Sequence, residues 1–268
     1  MQNITVHIIQ SDVEWGNPGV NISRMEKKLD SLPDGPSLVI MPELWTCSYD
    51  NNSLKEHALS SPVALEMLKT ASRKKSFAII GGSIPWQEPS GALFNRSNVL
   101  GDSGALIGSY DKAHLFPLLD EPLNFKRGER PLLFDLFGIT SSVVICYDIR
   151  FPEFIRSLAL SGADLLLVPA QWPVPRIDHW TLLLRARAIE NQMFVIGCNR
   201  CGSGGGAIYG GHSIAVAPDG TVLGECNEKD EMIMTIEITP SLIQQTRKKF
   251  PFSGGRNPQL YSPVTSLR

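Results

Sequence analysis

With 268 residues, 43% of them hydrophobic and 19% charged, the chain has the balance of a folded globular protein with a sizeable core, and its longest apolar runs are far too short to cross a bilayer. A formal charge of -2, from 25 basic and 27 acidic residues with no basic run longer than a short cluster such as Arg247-Lys248-Lys249, argues against nucleic acid and anionic membrane as partners. The five cysteines (Cys47, Cys146, Cys198, Cys201, Cys226) are odd in number and scattered, so they read as free thiols, not as a disulfide framework.

The segment "MQNITVHIIQ" enters an alternating apolar run at once, without a signal-peptide pattern, so the expectation is a cytoplasmic protein whose first strand is "ITVHIIQ". Asn17-Pro18 supplies an N-cap with proline at the first helical position, which predicts a helix to about Leu32; Ser61-Pro62 repeats the device before "VALEMLKTASRKKS". These helices feed the strands "SLVIM" and "FAIIGG". "NRSNVLGDSGALIGSY" then reads as a hairpin around Gly-Asp-Ser-Gly. The next pieces alternate: "TSSVVIC" as strand, "PEFIRSLALSG" as helix, "DLLLVPA" as strand, "WTLLLRARAIENQ" as helix and "MFVIGC" as strand. A second hairpin, "HSIAVAPDGTVLGE", precedes the strand "MIMTIEI" and a helix from Pro240 to about Phe250. Continuous apolar runs such as "DLLLVPA" belong to strands covered on both faces, so the pattern predicts an α/β or mixed layered fold with sheets sandwiched between layers. No repeat or low-complexity linker divides it; the expectation is one domain over residues 1–268, with a wrapping, swapping or loose tail after about residue 250.

Several chemistries lack their residues: the chain has no Gly-x-Ser-x-Gly elbow, His-Glu-x-x-His or P-loop. "GSGGGA" at residues 202–207 loosely matches a dinucleotide fingerprint, but an extended run follows where a helix is required. "CNRC" at residues 198–201 has ligand spacing without a second pair or nearby histidine, and reads as two buried thiols, with no metal. Three apolar runs, however, end in unusual polar residues: "LVIMPE" in Glu43, "IGSYDK" near Lys112, and "SVVIC" in Cys146. Strand ends fix side chains while the adjoining loops shape a pocket. Each residue alone has an ordinary structural reading, a solvated charge or a core thiol, but together they supply a base, a cation and a nucleophile.

The segments "MPELW", "YDKAHLFP" and "VVICYDIRFPE", in this order and spacing, resemble the three catalytic blocks of the nitrilase superfamily of carbon-nitrogen hydrolases, and the resemblance covers nearly the whole chain. It implies a four-layer α-β-β-α sandwich that pairs through helices into a homodimer or larger homo-oligomer. It also implies Glu43 as general base, Lys112 as stabiliser of the tetrahedral intermediate and Cys146 as nucleophile, with no cofactor. A second glutamate is expected between the lysine and cysteine blocks: Glu121 matches by its distance before Gly128, Glu129 is the competing choice, and capping of the loop is the structural alternative. The backbone N–H of Tyr147 joins Lys112 at the oxyanion. "CYDIRFPE", "QWPVPRIDHW" and "LLLRARAIENQMFVIGCNR" are similar to the ω-amidase branch, implying a small amide substrate with a carboxylate at its far end. Arg176 and Arg150 are candidates to meet that carboxylate, with bracing of the nucleophile turn through Glu153 or Asp148 as the alternative for Arg150. Trp172, Phe116 and Tyr147 are candidate pocket walls, while His114 and His179 have no evident partner and read as structural. Another amidase of the superfamily, such as an N-carbamoyl amino acid hydrolase, and a non-catalytic binding module of the same fold stand as the alternatives.

Overall fold

A computed structural model describes residues 2–261. The first run forms β1 (Ile4–Gln10). Asn17 caps α1 (Pro18–Ser31) by accepting the Val20 N–H at 3.3 Å, with Pro18 at the first helical position. β2 (Ser37–Ile40), a short α2 (Leu54–Ala58), α3 (Ser61–Lys75) and β3 (Phe77–Ile80) follow, then β4 (Ile84–Gln87) and the predicted hairpin as β5 (Leu93–Leu100) and β6 (Leu106–Asp111). After a one-turn α4 (Glu121–Asn124) come β7 (Leu133–Leu136), β8 (Ile139–Val143), α5 (Pro152–Leu160), β9 (Leu165–Ala170), α6 (Ile177–Asn191) and β10 (Phe194–Asn199). β11 (Ser203–Gly204) and β12 (Ala207–Ile208) make a small hairpin from the glycine-rich stretch; β13 (Ile214–Val216), β14 (Val222–Glu225), β15 (Met232–Ile238) and α7 (Ser241–Lys249) complete the order.

Two sheets result, one ordered β15-β1-β2-β3-β5-β4 with β6 on β5, the other β14-β13-β10-β9-β8-β7. Each has a parallel centre, β1-β2-β3 and β8-β9-β10, and parallel neighbours need crossovers, which α1, α3, α5 and α6 provide. Side chains alternate across the first sheet. Ile9, Val39, Met41 and Ile79 meet Met25 and Leu29 of α1 and Leu65 and Leu68 of α3. Val6, Ile8, Leu38 and Ile40 join a second cluster with Val143, Leu167 and Val195 of the other sheet and Trp180, Leu184 and Ala188 of α6. Cys198 lies at the seam between sheets, its Sγ 3.3 Å from the Ile9 carbonyl and 3.6 Å from that of Ile40. The layers therefore run helix, sheet, sheet, helix, the four-layer sandwich expected.

The predicted strand over residues 140–146 ends at Val143, because Asp148 takes the Ile145 N–H at 2.8 Å and turns the chain into a 3-10 segment over Cys146–Arg150. The tail from Pro251 to Tyr261 is largely exposed and carries two 3-10 turns; the remainder of the predicted tail, residues 262–268, lies outside the described residues. Among the described residues no helix is long and apolar enough to cross a membrane.

Candidate active site

Three chain reversals bring the polar strand-end residues together. After β2 the "MPELW" segment turns through Leu44 at φ +39° and Ser48 at φ +61°, directing Glu43 inward. The end of β6 delivers Lys112, whose N–H bonds the Asn95 carbonyl at 3.0 Å. Asp120, at φ +54°, starts α4 so that Glu121 points back at Lys112. Left-handed backbone is unfavourable for residues other than glycine, and its recurrence here is the kind of local strain a packed site sustains.

The Lys112 ammonium lies 2.7 Å from Glu43 Oε1 and 2.9 and 2.8 Å from the two carboxylate oxygens of Glu121. The Tyr49 hydroxyl is 2.7 Å from Glu43 Oε1 and 3.1 Å from Glu121 Oε1, and Asn95 Nδ2 donates to the same two oxygens at 2.9 and 3.1 Å. Glu43 Oε2 is left to a single donor among these groups, the Gln171 N–H at 3.0 Å, while Gln171 Nε2 donates to the Glu43 carbonyl at 2.6 Å. Glu121 Oε2 also accepts the Phe116 N–H at 2.6 Å.

Electrostatics separate the roles. Burial works against a charged Lys112, but Glu121 and Glu43 outweigh it and hold the ammonium above the ordinary lysine value, so it is a fixed cation. Burial raises Glu121 above the usual carboxylate range, with Lys112 opposing and Glu43 adding to the rise. Burial likewise pushes the Cys146 thiol up, reinforced by Glu43 and opposed by Lys112 and the Gln171 N–H. A resting thiol beside a carboxylate is the outcome, and such a sulfur could act as a nucleophile only with a base to take its proton.

Cys146 begins its 3-10 segment at φ +47°, on a sharp turn after an extended stretch. At 8% exposure it alone of the four reaches the surface; Glu43 and Glu121 are 0% exposed and Lys112 1%. Asp148 holds the turn: Oδ2 accepts the Ile145 N–H and the Tyr110 hydroxyl, while Oδ1 accepts the His114 N–H at 2.9 Å and meets His114 Nδ1 at 2.7 Å. His114, read from sequence as lacking a partner, therefore joins the lysine block to the turn at Cys146. Arg150 does not brace through Glu153 or Asp148. Its guanidinium sits over the Trp172 ring, 4.6 Å from the centroid, with Nη2 3.3 Å from His179 Nδ1, the partner sequence reading did not supply for that histidine.

Cys146 opens on a cleft walled by Phe116, Tyr147 and Trp172 and flanked by Arg150 and Arg176. The Trp172 indole N–H holds the Arg176 carbonyl at 2.6 Å, and the Arg176 guanidinium stands 5.4 Å from the Phe116 ring centroid. Burial, with Arg176 as a neighbouring like charge, lowers the Arg150 pKa from the usual arginine value, and an anion between the two would relieve both effects. Glu129, the competing second glutamate, is exposed. Sequence reading passed over Tyr49, Asn95 and Gln171. Gln171 carried the same signal as the others, a polar residue just past an apolar strand, whereas Tyr49 and Asn95 acquire their contacts only in the fold.

The family model described as "Carbon-nitrogen hydrolase" matches residues 6–248. The 2-oxoglutaramate amidase of Bacillus subtilis is 38% identical over 258 residues, 96% of this chain and 99% of that protein. Omega-amidase YafV of Escherichia coli K12 is 32% identical over 252 residues, 94% of this chain and 96% of that protein. Among solved structures, XC1258 from Xanthomonas campestris, a CN-hydrolase superfamily protein, superposes with a TM-score of 0.89 at 30% identity, covering 99% of this chain and 100% of that one.

Proposed function

The chain belongs to the carbon-nitrogen hydrolase family, and from that premise we propose that it is an ω-amidase releasing ammonia from the terminal amide of short dicarboxylic acid monoamides, of the 2-oxoglutaramate or 2-oxosuccinamate type. The observation carrying the substrate class is the pair of guanidiniums, Arg150 and Arg176, at the cleft that opens on Cys146: a cationic pair suits the far carboxylate of such a substrate.

In the proposed reaction Cys146 Sγ attacks the amide carbonyl while Glu43 takes the thiol proton. Oε2 is the accepting oxygen, since Oε1 is already held by Lys112, Tyr49 and Asn95. The oxyanion is met by the Tyr147 N–H, in the first turn of the 3-10 segment where such groups lack helical acceptors, and by the Lys112 N–H otherwise engaged in a long 3.3 Å contact to Tyr49. Glu43 passes the proton to nitrogen, the carbon–nitrogen bond breaks, and ammonia leaves a thioester on Cys146. Water, deprotonated by Glu43, then attacks that thioester; sulfur leaves as the thiol and the dicarboxylic acid departs. Glu121 holds Lys112 throughout, and no step asks for a cofactor or metal. Exposed Leu160 on α5 and Leu182 and Ile189 on α6 support a homodimer formed through the helical layer, and five buried free thiols suit a cytoplasmic setting.

The test is ammonia release from 2-oxoglutaramate, succinamate, an N-carbamoyl amino acid and an aliphatic nitrile, using the wild type and Cys146→Ala. The oxo-monoamide is expected to turn over best, with Cys146→Ala at background. Activity surviving the substitution sinks the mechanism, a preference for the carbamoyl substrate transfers the chain to that class of amidase, and silence on all four points to a binding module.

A further inference from the structure

Arg200 is fully buried at the end of β10, far in sequence from every catalytic block, and the mechanism above makes no use of it. Its guanidinium donates in every direction. Nε bonds the Cys201 carbonyl, Nη2 bonds Asp12 Oδ1 and the Val13 carbonyl at 2.8 Å each, and the plane stacks 4.0 Å from the Tyr209 ring centroid. The remaining donor, Nη1, reaches Ser48 Oγ at 2.7 Å and Gln171 Oε1 at 3.1 Å, and Ser48 Oγ donates to the same Oε1 at 2.9 Å.

A side-chain amide has one acceptor end and one donor end, and here the assignment follows from chemistry, because arginine can only donate. With Oε1 fixed on Arg200 and Ser48, Nε2 must face the Glu43 carbonyl, where it lies at 2.6 Å. A flipped amide would set its oxygen against that carbonyl, oxygen to oxygen. The same residue's backbone N–H holds Glu43 Oε2 at 3.0 Å. Gln171 thus grips the base through both its main chain and its side chain, and its amide orientation is dictated from behind by a buried cation.

We propose that Arg200 is a positioning residue for the proton-transfer step: acting with Ser48, it locks the Gln171 amide so that Glu43 Oε2 stays aimed at the Cys146 thiol. The inference rests on Glu43 serving as the base for Cys146, and it concerns the transfer of the proton, not the binding of substrate. Gln171 borders the cleft but Ser48 and Arg200 do not, so losses from changes at those two should fall on kcat and leave KM alone.

The experiment uses full-length Gln171→Met, Ser48→Ala, Arg200→Lys and Arg200→Ala, the first two keeping the test open if the buried arginine cannot be changed without unfolding. Two rates are read across pH 6 to 9: ammonia release, and alkylation of Cys146 by the neutral reagent chloroacetamide, scored against Cys146→Ala. Gln171→Met is expected to lower both on the order of tenfold or more, as partners that orient reactive groups commonly do, while Ser48→Ala, which does not border the cleft, keeps KM within about threefold of wild type. The Gln171→Met alkylation profile should shift toward that of an unassisted thiol, rising with pH; Ser48→Ala should move the same way by less, and Arg200→Lys, which keeps the charge, should retain more rate than Arg200→Ala. Folded Gln171→Met and Ser48→Ala with wild-type rates and pH profiles, or a Ser48→Ala loss confined to KM, overturn the proposal. If the wild type hydrolyses none of the amides but its alkylation responds as described, the substrate assignment fails and the positioning role stands.

Discussion

Lys112 keeps its charge in a dry environment only because two carboxylates face it, and removing it exposes that dependence. In Lys112→Met, Glu43 and Glu121 would confront each other with Asn95 and Tyr49 as their remaining shared donors. Two carboxylates so placed cannot both ionise, and one pKa is driven up. A carboxyl with its folded value above its unfolded one contributes stability below about pH 4.3, and that contribution is lost as pH rises through the raised value. Lys112→Met should therefore lose about 3–5 kcal/mol at pH 8, the penalty of breaking a buried ion network, and recover part of it as pH falls toward 5. Urea unfolding at the two pH values checks this, and an equal loss at both means that the carboxylates do not need the lysine. Glu43, Lys112 and Cys146 are legible in the sequence because a strand end leaves a mark there, an apolar run broken by one polar residue. The partners that set their chemistry leave no such mark. Tyr49 sits in an irregular loop and Asn95 inside β5, and only the convergence of β2, β5 and β6 gives either a role. Arg150 shows the opposite failure, since proximity in sequence suggested Glu153 or Asp148, while the turn at Cys146 swings it over Trp172.

At the scale of elements, the end of β6 is held by close packing as much as by pairing. The Gly128 N–H bonds the Lys112 carbonyl at 2.9 Å, and a Cβ at Gly128 would collide with the main-chain carbonyl of Asp111. Backbone atoms cannot rotate aside as a side chain can, so Gly128→Ala must displace either the loop or the strand end that carries Lys112. Overpacking of this kind costs about 1–3 kcal/mol. The substitution is expected to lower the denaturant midpoint and to reduce kcat through Lys112, although Gly128 touches no substrate; a variant with wild-type stability and turnover would show that the contact relaxes freely. The long elements were readable because periodicity, capping and composition agree over much of their length, as in α1, α3 and β9. The short α2, α4, β4 and β7 were not, since four or five residues hold too little pattern, and β7 owes its extension to four cross-strand pairs with β8. The early end of β8 came from a side chain three residues beyond Ile145, Asp148, which drew one N–H away from the strand.

Across the whole molecule, the titratable groups that burial shifts most are those that are neutral at physiological pH. Burial pushes Cys47 and Cys201 up to about 12 and Cys226 to about 11, and moves Cys146, Cys198, Tyr49 and Tyr110 further above their ordinary values. In the unfolded chain each thiol ionises near pH 8.5, so between that value and the raised folded one the native state holds more protons. Stability then falls with rising pH, by about 1.4 kcal/mol per unit for each thiol kept protonated, until the folded value is passed. These contributions are fully present at neutral pH and share one direction, and the raised Lys112 adds to them as pH climbs further. The melting temperature should accordingly be nearly flat between pH 7 and 8 and then fall steeply between pH 9 and 10.5, the fall beginning before most surface lysines, with an ordinary value near 10.4, discharge. Cys226→Ala removes one of the titrating groups while keeping a small apolar side chain, so its melting temperature should fall less steeply over the same interval. Thermal unfolding of both proteins at half-unit steps decides the matter: a wild-type melting temperature unchanged up to pH 10.5, or identical slopes for the two, would mean that alkaline stability is set by the surface and not by the buried sulfur and phenol groups.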